Sequence, residues 1–369
     1  MISTCDEMLG AILDTAERFA TRELATGGEA RDNYPFCEFA WDALHGAWGA
    51  GLLLLNAPEV LGGAGMPCET WAPVLEKVAF ADAGFATSLL AHAMAVQALL
   101  AGDADVGKRF IVTRSPSLLG YPLYLQADDL QGLPRAEKKG DEYLLSGTAI
   151  RVANAPAAHA VVVAAALDGQ ETGLFLLPLA EGKRPGAVEM LGLRSCPVGH
   201  VDLSGVRLPA NHLLRKGTSA IAEMHNLFYP AVSAILIALL KGCMDYAILY
   251  GLDRYQGGRM IHEYAQSRVM YGLMIAEHRT LRAAWLHALE EEDPAAETHA
   301  AVKALSGDLA VRASMDGVQL LGGYGYSREY PQERRMRDAR QAAELLGSPL
   351  RMKLSLAERA VSAYLSARP

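Results

Sequence analysis

The chain switches hydrophobic period twice, and this double switch restricts the folds open to it more than any single residue does. Up to about Thr113 apolar residues recur at helical spacing, in segments Asp6–Leu24, Phe39–Gly51, Glu69–Asp82 and Ala83–Ala101. From about Ser115 short β-rich runs take over, separated by Gly, Asp and Pro turns: Leu118–Leu125, Glu142–Ser146, Ala160–Ala165, Gly173–Leu177, Ala187–Leu191 and Val201–Val206. From Ser219 the helical period returns, first in Asn226–Asp253, then in a helix from Ile261 striped by Met270, Met274, Leu281 and Trp285. After Pro294 comes a third helix, Ala296–Leu321. The expectation is an α+β chain in three parts: an N-terminal all-α domain over 1–114, a middle β-barrel or sandwich over 115–216, and a C-terminal helical bundle over 217–369.

Composition narrows the class. With 51% hydrophobic and 21% charged residues over 369 positions, the chain can bury more than one core. A net charge of −8 with scattered Lys and Arg leaves no basic footprint, so no nucleic-acid partner is expected. Cys5, Cys37, Cys68, Cys196 and Cys243 are widely spaced, without a C-x-x-C pair, which predicts free thiols and no metal. The segment Ala83–Gly102 is uncharged and long enough to span a bilayer, but Thr87, Ser88, His92 and Gln97 interrupt it. A buried core helix is expected rather than a membrane span. The N-terminal residues carry an early acid and no apolar run, so the expected location is the cytoplasm.

The densest local signal is Val318-Gln319-Leu320-Leu321-Gly322-Gly323-Tyr324-Gly325-Tyr326, running through Glu329-Tyr330-Pro331 into Glu333-Arg334 and Arg337-Asp338. A helix carrying a Gln ends in three closely spaced glycines, where backbone can approach a ligand or another chain, and a charged segment then restarts helix. The order Q-L-x-G-G-x-G-Y-x-x-E-Y-P-x-E-R-x-x-R-D resembles the C-terminal signature of the acyl-CoA dehydrogenase family. Asn56–Gly65 resembles that family's P-E-x-x-G-G-x-G loop. The stretches Ala136–Gly147, Gly192–Ser195 and Val206–Leu214 resemble its middle domain, so the resemblance covers essentially the whole chain.

The resemblance implies an FAD-dependent oxidoreductase acting on an acyl-CoA thioester, with electron-transfer flavoprotein as the expected acceptor. In that chemistry a carboxylate removes the α proton while the β hydrogen leaves to the flavin. The position where most members carry the carboxylate is Leu346 here, and the position some relatives use falls on Phe228. Glu344 is the nearest acid, two residues early, which on a helix turns it by about 200° from the expected direction.

The same comparison places Tyr121–Asp128 where the family cradles the flavin edge with Thr and Ser donors, and Arg151-Val152-Ala153-Asn154 where it has W-I-T-N. Those donors are missing. By contrast, the residues implied to grip the ADP half of a neighbouring subunit's FAD persist: Arg254 and Gln256 in Arg254-Tyr255-Gln256-Gly257, and Gln319, Gly322 and Gly323. The expectation is therefore a flavoprotein-family subunit lending an FAD clamp to a related catalytic partner. The alternatives are an active homo-oligomer with a displaced base, Glu344, and a flavin-free binding or scaffold subunit. A dimer or tetramer is expected in any case, on the ground that Asn226–Leu252 is too apolar to face water.

Overall fold

The computed structural model describes residues 4–32, 38–126, 132–168, 171–180, 182–290 and 296–367. The chain forms two compact units, one comprising Met1–Met190 with Arg194–Phe228, the other Leu191–Leu193 with Tyr229–Pro369.

The first unit begins with helices α1 (Thr4–Phe19, continued by a π turn, Ala20–Leu24), α2 (Gly28–Arg31), α3 (Trp41–Gly49), α4 (Cys68–Ala81), α5 (Ala83–Leu100) and α6 (Ala104–Ile111). Asp82 separates α4 from α5, caps α5 and ties it to two distant segments. Its Oδ1 accepts from the Phe85 N–H at 3.0 Å and from Ser195 Oγ at 2.8 Å, while Oδ2 pairs with Arg31 at 2.9 Å. Helix α5 is apolar on every face because every face is enclosed, with 89% of its residues buried. In the loop before α4, Gly63 has no alternative: a Cβ there would stand 2.1 Å from the Ala57 carbonyl oxygen.

Among the described residues nine strands follow: β1 (Leu119–Gly120), β2 (Arg135–Lys139), β3 (Glu142–Ser146), β4 (Thr148–Ala153), β5 (Ala160–Ala166), β6 (Thr172–Pro178), β7 (Val198–Asp202), β8 (Val206–Pro209) and β9 (Leu213–Gly217). Seven make one sheet, ordered β8-β3-β2-β5-β6-β9 with β1 beside β5, and β4 pairs with β7 separately. Val161, Val163 and Phe175 from the larger sheet share one core with Val152 and Val201 from the smaller. The expected strand Leu118–Leu125 shrinks to two residues because Pro122 has no N–H to offer a ladder and the chain turns there, Leu123 N–H donating to Tyr121 O at 2.9 Å. Ala187–Leu191 forms only an isolated bridge, Ala187 to Gly199.

Helix α7 (Ala220–Asp253) starts six residues earlier than its period indicated and passes from the first unit into the second. Its most apolar stretch is 89% buried within the chain, so this surface is consumed internally and does not by itself call for a partner subunit. The second unit adds the hairpin β10 (Tyr255–Gln256) and β11 (Arg259–Met260), then α8 (Ala265–Glu290), α9 (Ala296–Leu321), α10 (Pro331–Ala342) and α11 (Pro349–Ser366). Trp285 of α8, fully buried, donates its indole N–H to the Pro230 carbonyl of α7 at 3.1 Å.

Candidate functional site

In the second unit the end of α7 and the end of α9 meet. Arg254, the first residue beyond α7, lays its guanidinium over the Tyr324 ring at 5.1 Å. Tyr324 stands in the 3₁₀ turn Gly322–Tyr326 that closes α9, and packs against Tyr330 at 5.1 Å and Tyr250 at 6.5 Å. The turn folds back on its own helix at Gly325, where a Cβ would lie 2.2 Å from the Val318 carbonyl oxygen. Gly322 has φ of 59°, the left-handed region that glycine enters freely. Gly322 and Gly323 are exposed, as is Gln319 one turn earlier.

Gln256 is carried by the hairpin, whose turn residues Gly257 and Gly258 have φ of 62° and 93°. Tyr264 Oη reaches back to the carbonyls of Gln256 (2.7 Å) and Gly257 (2.9 Å), and a Cβ at Gly257 would meet that oxygen at 2.5 Å. Tyr264 therefore fills the space a larger residue at 257 would need. The structure thus brings Arg254 beside the Gly322–Gly323 turn, with Gln256 and Gln319 both exposed, Gln256 on the hairpin that follows Arg254. A cation, exposed amides and glycine backbone are the donor set an anionic pyrophosphate requires.

The charged run after this turn does something the sequence did not disclose. Asp338 Oδ1 accepts from the Leu193 N–H at 2.5 Å, Gln341 Oε1 from the Gly192 N–H at 2.9 Å, and Arg337 Nη1 donates to the Leu191 carbonyl at 3.1 Å. Arg337 is held by Glu333 in a two-point contact at 2.7 and 2.9 Å. These side chains bind the backbone of Leu191–Leu193, where Leu193 has φ of 50°.

The stretch that would bear a base lies between α10 and α11. Leu346 is buried with φ of 55°, and Gly347 follows at φ of 124°. Glu344 is half-exposed and ion-paired with Arg340 at 2.6 Å, so its carboxylate is engaged at the surface. The sequence reading missed Lys303. This fully buried residue of α9 donates from Nζ to the carbonyls of Ala343, at 3.0 Å, and Gly347, tying both ends of the turn. Burial pushes its ammonium down to about 7, against the opposing pull of Glu344 and Asp308. A lysine at an otherwise helical position gives no spacing signal; only its partners, forty residues onward, reveal it.

In the first unit, Tyr121 and Ala153 pair backbone to backbone in an isolated bridge, with N–O distances of 3.3 and 3.0 Å. The Tyr121 ring is fully buried and its hydroxyl lacks a hydrogen-bond partner. Asn154, at φ of 64°, spends its amide N–H groups on the Ser88 and Leu119 carbonyls, both at 2.9 Å, while its Oδ1 faces the Cys196 thiol at 3.6 Å. Ala127 and Asp128 lie outside the described residues. Ala153 thus has no side-chain donor and the Asn154 donors are spent, which leaves the buried Tyr121 hydroxyl as the one unspent donor of the three. Phe228 is buried edge-on against Trp71, with centroids 6.1 Å apart. Among the described residues no group of His, Cys, Asp and Glu side chains could hold a metal, and Cys68, Cys196 and Cys243 form no disulfide.

Comparison with known proteins covers most of the chain. Residues 6–112 match the family model described as acyl-CoA dehydrogenase, N-terminal domain, and residues 215–361 match the corresponding C-terminal domain. A cyclohex-1-ene-1-carbonyl-CoA dehydrogenase of Geobacter metallireducens is 28% identical over 352 residues, covering 89% of this chain and 91% of that protein. Its namesake from Syntrophus aciditrophicus is 26% identical, covering 89% and 84%. Among solved structures, butyryl-CoA dehydrogenase from Megasphaera elsdenii superposes with a TM-score of 0.86 at 22% identity over 96% of this chain and 98% of that one. A Mycobacterium smegmatis glutaryl-CoA dehydrogenase in complex with FADH2 gives 0.87 at 18% identity, covering 97% and 95%.

Proposed function

Because the chain belongs to the acyl-CoA dehydrogenase family of FAD-dependent oxidoreductases, we propose that it serves α,β-dehydrogenation of an acyl-CoA thioester as a subunit that grips the ADP half of FAD for a related, catalytic partner. The observation carrying this reading is the contrast within one unit. Arg254 stands over Tyr324 beside an open glycine turn, whereas the base position holds buried Leu346. When bound, FAD supplies the hydride acceptor. This chain's residues would hold its pyrophosphate through Arg254, Gln256 and Gln319 and the Gly322–Gly323 backbone. The residues at the isoalloxazine cradle fit poorly, since Ala153 has no donor and Asn154 is already engaged. The partner would contribute cradle and base.

The rival with a displaced base needs Glu344 to leave its pairing with Arg340. A flavin-free scaffold predicts that the flavin content of a complex does not depend on Arg254. Electron-transfer flavoprotein as acceptor and a cytoplasmic location are parts of the same proposal. The test is co-purification with a catalytic relative and measurement of the 280 to 450 nm absorbance ratio. Arg254→Ala should lower flavin content while the chain stays folded; an unchanged ratio would sink the clamp.

A further inference from the structure

We propose that the cavity between the β1–β2 connection and strand β4 binds a short-chain aliphatic carboxylate, with Arg151 as its counter-ion. The proposal rests on the reading above that isoalloxazine and its cradle belong to the partner, which leaves the corresponding region of this chain open to another ligand.

Three consecutive residues of β4, Ala149, Ile150 and Arg151, line this cavity, although neighbours in a regular strand face opposite sides. A bulge makes this possible. Ala149 pairs with Val201 and Val152 with Gly199, so Ile150 and Arg151 together oppose His200 alone. The Arg151 N–H donates to His200 Nδ1 at 3.1 Å, and Arg151 takes φ of 53°, a left-handed conformation that a long side chain rarely adopts. Bulges and left-handed residues of this kind gather where a side chain is re-aimed toward a ligand.

The lining decides the chemistry. Leu125, Leu133, Pro134 and Ile150 supply apolar walls around a space of about 90 Å³. That is the volume of about three waters, enough for a carboxylate on a stem of roughly two or three carbons and too small for a tricyclic flavin ring. Arg151 and Gln126 both line it, and among the described residues neither the guanidinium nor the amide has a hydrogen-bond, ion-pair or ring partner. A guanidinium fork matches a carboxylate in a two-point contact. One cation beside apolar walls suits a monoanion on an alkyl stem better than a phosphate dianion, whose second charge would go uncompensated there.

The test is a saturation-transfer NMR titration of the purified full-length chain with butyrate, with circular dichroism confirming that each variant is folded. Wild type should bind butyrate with a dissociation constant on the order of a millimolar, which a ligand of about six heavy atoms allows. Butyramide, uncharged and of the same shape, should bind at least about tenfold more weakly. Arg151→Asn, a residue that tolerates the left-handed backbone, should raise the butyrate constant at least about tenfold. Arg151→Lys, which keeps the charge and loses the fork, should raise it less. No transfer to butyrate at tens of millimolar, equal binding of butyramide, or an unchanged constant in Arg151→Asn would each overturn this inference, while the flavin content of the Arg254→Ala complex still decides the clamp. Inorganic phosphate competing as well as butyrate would overturn it too. Riboflavin displacing butyrate would overturn both this inference and the reading beneath it, because isoalloxazine would then occupy this chain's own cradle.

Discussion

Two turns in the second unit close helices in related ways and put their chemistry in opposite places. After α9, the turn Gly322–Tyr326 keeps Gly322 and Gly323 exposed and collects Arg254 and three tyrosines around them. After α10, the turn ending at Gly347 is sealed: Leu346 is buried and Lys303 binds carbonyls at both ends from within. Both rely on positive φ, at Gly322 in one and at Leu346 and Gly347 in the other. The difference shows that one backbone device, a left-handed residue closing a helix, can serve a turn that faces outward and a turn sealed within the packing of two helices.

The largest effect expected from this contrast is on turnover. The isolated chain should oxidise acyl-CoA thioesters no faster than background, where enzymes of ordinary competence accelerate reactions by at least about a millionfold. Dye-linked assay of the purified chain checks it. Turnover that Glu344→Gln abolishes would break the contrast, since the sealed turn would then house a working base.

The sealed turn makes a second prediction through Lys303. Its folded pKa, about 7, lies below the ordinary lysine value of 10.5, so between those limits the unfolded chain binds more protons than the folded one. Stability from this group therefore rises with pH through that window, and its penalty is fully present below about pH 7. The full span is on the order of 3–5 kcal/mol. Lys303→Met should remove that dependence. Urea unfolding of both proteins at pH 6.5 and 8.5 should give a stability difference that narrows at the higher pH. Parallel curves would mean that the amine is not held as charged and buried as the structure places it.

The helical order of the chain was legible because periodicity survives when every residue on a face is buried or exposed together. Ala296–Leu321 was delimited to the residue, since Pro294 and the Gly322–Gly323 pair punctuate it. The family was legible because its signature is a run of unlike residues rather than a period. Lys303 and the binding of Leu191–Leu193 by Arg337, Asp338 and Gln341 were not legible. Each joins positions far apart in sequence, and neither leaves a local pattern. The apolar α7 misled in another way: hydrophobicity on all faces reports burial without saying whether the chain itself or a neighbour provides it.

On the open turn, Arg254→Ala should remove a charge-assisted contact of about 1.5–3 kcal/mol, one to two decades in FAD affinity for a complex with a catalytic relative. Flavin titration of the assembled complex reads this directly. A guanidinium serving only to cover Tyr324 would instead shift melting by a few degrees and leave flavin content alone.

The smallest effect expected comes from Tyr264→Phe, and it tests whether the hairpin is shaped for the clamp or merely connects α7 to α8. The Tyr264 hydroxyl reaches two backbone carbonyls, at Gln256 and Gly257, on an exposed hairpin. Its loss should lower global stability by about 1 kcal/mol or less, because water can replace it there. If the hydroxyl holds Gln256 in position, the same substitution should weaken FAD retention by a severalfold factor, since loosening a hairpin adds ordering entropy to each binding event. Amide exchange at Gln256 to Met260 should quicken in step. Faster exchange with unaltered flavin retention would detach the hairpin from the clamp and leave Arg254 and the Gly322–Gly323 turn to act without it.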